Sequence, residues 1–146
     1  SIMESHLNLA DLHIGDWVQE YSDITGRLSC PMYVSALFED GTVYLNFNGN
    51  EADIWEAEIK DLRPIAVDED TLKGFGFKNG DVQQERVLKH SDTGIVFNID
   101  PNMMTFYIKH ADGRTFFAFG CFFVHSLQKL YYEHTHVPLV LEWAGI

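Results

Sequence analysis

Three of the chain's seven histidines fall within twelve residues near the C-terminus, in the stretch FVHSLQKLYYEHTHVP: His125, His134 and His136. Imidazole transfers protons near neutral pH and ligates zinc, so metal or acid–base chemistry is sought here first. On a helix, His125 and His134 are nine residues apart and point to opposite sides, so they cannot share one ion. His134 and His136 straddle a helix end that Pro138 enforces. A His-x-His pair binds metal when it lies on a strand with a third ligand nearby, and no Cys or His follows locally to complete it. No metal and no cofactor is expected.

Other reactive residues meet the same test. Cys121 precedes His125 by four residues but sits within FGCFFV, which reads as buried, and a buried thiol is inert. Cys30 stands alone, with no CxxC spacing. The acidic groups Asp53/Glu56/Glu58 and Asp68/Glu69/Asp70 fall at turns and at a helix start, where charge is normally solvated. GFGFKNG lacks the Gly-Lys-Ser/Thr of a phosphate loop, and Ser29 and Ser35 lack a nucleophile elbow. No enzyme signature emerges, and the reading is non-enzymatic. A histidine-based metal protein or enzyme remains the third alternative.

The elements that would position these residues follow from periodicity. IGDWV opens a strand. PMYVSALFEDGTVYLNFNGN reads as a hairpin turning at Asp40-Gly41, with Val43, Leu45 and Phe47 on one face. A last strand covers Leu62 to Ile65. These suggest an SH3-like small barrel over 1–67. Asp68 then caps a short helix that stops at Gly74 or Gly76. VQQERVLKH, GIVFNI, MTFYIKH and RTFFAFG follow as an antiparallel meander, each bounded by turn residues. In FVHSLQKLYYEH, Val124, Leu127, Leu130 and Tyr131 make one helical stripe, expected to pack on strands around Phe106, Phe117 and Phe119. VPLVLEW reads as a terminal strand. The expected fold is α+β: an N-terminal SH3-like barrel, a short helix, then a meander packed on a C-terminal helix over 68–146, forming one compact unit.

Composition bounds the partners. The formal net charge is −12, with 22 acidic against 10 basic residues. Such a chain repels phosphate backbones and anionic lipid, and a basic protein partner fits it better. Lys60/Arg63 with Lys73/Lys78 is a thin basic patch, so direct nucleic-acid binding is not expected. Acidic residues arrayed like phosphates, as in a DNA mimic or regulator of a nucleic-acid process, are the alternative. Sparse cysteines, no secretory leader pattern and no apolar run of membrane-spanning length point to the cytoplasm. Self-association is left open. The contact candidates are the aromatics Trp17, Tyr21, Tyr33 and Trp55, which form either one surface patch or, for the two tryptophans, barrel core, together with Tyr132 on the outer side of the last helix.

Three islands carry a resemblance. DLHIGDWV, IWEAEIKDLRPIAVDEDTLKGFGF and VHSLQKLYYEHT stand in the order seen in a family of small uncharacterised proteins of Bacteroidetes, their phages and mobile elements. The matching positions are Asp11, Leu12, Ile14, Gly15 and Val18; Pro64, Ile65, Leu72, Gly76 and Phe77; and His125, Leu127, Gln128, Leu130 and Tyr131. Asp16 stands where the family usually has Asn. The resemblance implies a bacterial or phage cytoplasmic protein and brings no known activity. It places His125 and Gln128 in the recurrent helix motif, where a polar clamp onto each other or onto a neighbouring backbone is the expected role.

Overall fold

A computed structural model describes residues 6–50, 52–77, 86–119 and 122–145. The fold is α+β, and the chain divides into two compact units, Ser1–Ala66 and Val67–Ile146. Residues 82–85 of the expected strand VQQERVLKH, the Asn79-Gly80 turn, Lys78 and Cys121 lie outside the described residues.

The first unit is an antiparallel sheet of β1 (Trp17–Ser22), β2 (Arg27–Leu28), β3 (Met32–Leu37), β4 (Thr42–Asn46), β5 (Trp55–Glu58) and β6 (Leu62–Pro64). Its order is β2-β1-β3-β4-β5, with β6 also paired to β1, so the sheet curls into a half-barrel. The 3-10 turn Ile59–Asp61 joins β5 to β6. Register sorts the side chains. Val34 lies opposite Leu45 and Val43 opposite Ala57, and these residues join Val18, Met32 and Leu62 in a closed apolar core. Gly41, at φ +95°, makes the β3–β4 turn, where an L side chain would be strained.

The second unit begins with α1 (Glu69–Gly74). The Asp68 carboxylate accepts the Thr71 N–H at 2.8 Å, satisfying one free donor of the first turn. A four-stranded antiparallel meander follows: β7 (Arg86–Lys89), β8 (Val96–Asp100), β9 (Thr105–Lys109) and β10 (Thr115–Phe119), in the order β10-β9-β8-β7. The helix α2 (Val124–Thr135) buries Val124, Leu127, Gln128, Tyr131 and Thr135, a stripe at three-and-four spacing. Tyr131 packs on Phe97 of β8, with ring centroids 5.1 Å apart, in a core with Ile95 and Ile108.

Two expectations are corrected. Phe117 and Phe119 do not meet α2. Phe117 lies opposite Tyr107 and Ala118 opposite Phe106, so the core-facing parity of β10 belongs to Phe116 and Ala118. Phe106 is buried, whereas Phe117 and Phe119 are 61% and 70% exposed. Residues 138–145 form no strand. Their alternation is real, since Leu139, Leu141 and Trp143 turn inward relative to Val140 and Glu142, but no ladder holds them. Instead Gln128 Nε2 donates to the Leu139 carbonyl at 3.3 Å, and the Ala144 N–H donates to the Gly74 carbonyl at 2.8 Å.

Candidate functional site

The four aromatics of the first unit do not form one patch. Trp17 lies opposite Tyr33, and Tyr21 is four residues along the same strand, so these three share a face. Arg63, opposite Gln19, shares it too and lays its guanidinium 5.3 Å from the Tyr21 ring centre. On that face Trp17 is only 1% exposed, tilted against Tyr33 at 5.4 Å, and is a structural residue. Trp55 lies opposite Leu45 and so belongs to the other face, at its open end. It is 51% exposed, which corrects the core alternative for this residue, and its indole N–H donates to Glu20 Oε1 at 2.9 Å. The first unit also concentrates charge: residues 1–66 hold twelve acidic and three basic side chains, a net −9, against −3 for residues 67–146 with ten and seven.

In the second unit, the helix residues divide by role. Gln128 is buried and clamps the Leu139 backbone, as described above. His125 stacks on Phe123, with rings 5.9 Å apart and 15° from parallel. Tyr132 faces outward, 54% exposed. His136 ends the helix at φ +60°, its N–H donating to the Tyr132 carbonyl.

The outward face of the meander is where exposed apolar surface gathers. Phe117 and Phe119 stack at 5.8 Å, 16° from parallel, and Tyr107 leans on Phe117 at 4.8 Å. By register, Asn98 and Val87 continue this row across β8 and β7, and Val87 is also exposed. Lys109 and Lys89 stand on the same face. Among the described residues β10 is hydrogen-bonded to β9 alone, and none of them pairs its other edge. The surface thus offers backbone donors and acceptors beside a ladder of aromatic rings. Such an edge binds an extended segment by adding a strand, with the rings covering its alternate side chains.

On the inward side of β10 the fold assembles a pair that local spacing did not announce. His110 closes the β9–β10 turn, its N–H donating to the Arg114 carbonyl at 2.8 Å. Its Nε2 lies 2.9 Å from Nδ1 of His134 in the last turn of α2, so the two imidazoles share one hydrogen bond. Phe116 edges onto both rings, at 5.5 Å from His110 and 5.1 Å from His134, and Phe97 meets His134 from the other side. Burial, and then the neighbouring His110, hold the His134 pKa below the usual imidazole value, favouring its neutral form. His136, two residues on, is exposed and takes no part. The two partners are 24 residues apart in sequence, and no local signal joins them.

Among the described residues no three of His, Cys, Asp or Glu are grouped to hold a metal ion, and no helix is long and apolar enough to cross a membrane. Comparison of the chain with protein-family models, with curated proteins and with solved structures finds no match.

Proposed function

We propose that this chain is a non-enzymatic protein-interaction module that takes an extended apolar segment of another protein along the β10 edge. The observation that carries this reading is the pair of exposed rings Phe117 and Phe119, with half-buried Tyr107 against them, beside a strand edge that no described residue pairs. Leaving a large apolar side chain in water rather than burying it forgoes roughly 1.5–3 kcal/mol, so covering two phenylalanines is a substantial drive to associate. The segment 115–119 carries no charge and no proline to blunt the edge. The first unit is read as an SH3-like barrel. The strand order β6-β1-β3-β4-β5, with a 3-10 turn before the last strand, supports that reading. The motif resemblance supports a cytoplasmic protein of a bacterium, its phage or a mobile element.

Phe117→Ser combined with Phe119→Ser tests the surface without touching the core. Affinity capture from a Bacteroidetes lysate should retain a discrete, stoichiometric protein on the unaltered chain. The double variant should lose it, and Trp55→Ser should keep it. Equal capture by all three, or retention of single-stranded oligonucleotide in place of protein, would overturn the assignment.

The concentration of net charge −9 in residues 1–66 favours a second reading, in which this unit presents a DNA-like acidic surface to a basic protein. Such binding weakens steeply with salt, whereas docking on the aromatic edge changes little; a salt titration of the captured complex separates the two.

A further inference from the structure

We propose that His110 and His134 together form a binding site for a divalent transition metal of the zinc, nickel and copper class. The two nitrogens already face each other at 2.9 Å, each on a ring oriented by its surroundings. His110 is set by the closed turn to Arg114, and His134 by α2 and by the edges of Phe97 and Phe116. A tetrahedral ion with metal–nitrogen bonds of about 2.0–2.1 Å holds two ligand nitrogens about 3.3 Å apart. The nitrogens therefore part by about 0.4 Å, and each ring turns by roughly 35° so that its lone pair aims at the ion and not at the other nitrogen.

Proton balance is simple. In the hydrogen-bonded pair one facing nitrogen carries the shared proton and the other a lone pair. On metal binding, the ring that carried the proton carries it on its other nitrogen, so both rings stay neutral and present lone pairs to the ion. Both rings are partly exposed, so water completes the coordination. Asp112 is the nearest carboxylate in the turn and is held by Arg114 at 2.7 Å, leaving an all-imidazole inner set. Two nitrogen ligands with water suit Cu2+, Ni2+ and Zn2+ and do not suit Mg2+ or Ca2+, which take oxygen. A bound ion would tie the end of α2 to the β9–β10 turn and raise the stability of the second unit by linkage. The site lies on the side of β10 opposite Phe117 and Phe119 and goes beyond the docking function proposed above.

The test uses the full chain without an affinity tag, titrated with Zn2+ and with Cu2+. Zn2+ should shift the imidazole NMR signals of His110 and His134 together and leave those of His90 in place. Cu2+ should bind at one per chain with a two-nitrogen signature by electron paramagnetic resonance. His110→Ala and His134→Ala should each weaken the affinity at least about tenfold, while His136→Ala leaves it unchanged. If the His110 and His134 signals stay fixed while other histidines move, the assignment fails. It fails equally if both single variants bind like the unaltered chain. The NMR readout on the unaltered protein decides the matter even where a variant does not fold.

Discussion

Replacing Asp16 by Asn tests whether the turn before β1 carries a charge that folding disfavours. Asp16 is 6% exposed, and its carboxylate accepts the His13 N–H at 2.8 Å. Its backbone is zipped onto β3, with the Val34 N–H donating to the Asp16 carbonyl and the Gly15 N–H to the Val34 carbonyl. Burial raises the Asp16 pKa from 3.8 to about 6, against the opposing pull of the His13 backbone hydrogen bond and charge. A raised carboxyl pKa means that the folded state prefers the protonated form. The penalty is absent below pH 3.8, grows as pH rises, and is complete above about pH 6. At about 1.4 kcal/mol per pH unit, the interval from 3.8 to about 6 sets an upper bound of about 3 kcal/mol. Asn cannot ionise, yet its amide oxygen can accept the same His13 N–H. Asp16→Asn should therefore be the more stable protein at pH 7, by up to about 3 kcal/mol, and the two should converge towards pH 4. Urea melts of both proteins at pH 7 and pH 4.5 measure this, and comparison at equal pH cancels the other titrating groups. A gap that is the same at both pH values, or a less stable Asn variant at pH 7, would refute the reasoning.

Leu127→Ala should cost ~2–5 kcal/mol in a urea melt, because Leu127 is fully buried on the inner stripe of α2, while His136→Ala beyond the packed face should be nearly silent. Gly74→Ala should destabilise the second unit by about 1–3 kcal/mol, because a Cβ there would stand far inside van der Waals contact distance of the Trp143 ring. Hydrogen exchange should then quicken at the Ala144 amide, which donates to the Gly74 carbonyl; unchanged protection would show that the C-terminal segment is anchored elsewhere.

Local chemistry was legible wherever a short run of residues contains its own answer. Asp68 caps α1 because its carboxylate and the Thr71 N–H are three residues apart. The α2 stripe of Val124, Leu127 and Tyr131 is visible because helical period alone places those side chains together. The β3–β4 hairpin follows from Asp40-Gly41 between two alternating runs. Tertiary structure decided what depends on register between strands. Alternation shows that Phe117 and Phe119 share a face, but only the pairing of Phe117 with Tyr107 and Ala118 with Phe106 makes that face the outer one. The same logic separates Trp55 from Trp17, since each strand's parity is set by its partner and not by its own sequence. The inward residues 139, 141 and 143 resemble a strand, yet a strand requires a neighbour's backbone, and here a glutamine side chain and a helix end supply the bonds. The His110–His134 pair is the extreme case: two imidazoles on separate elements meet only because α2 packs across the meander, and no spacing along the chain encodes that crossing.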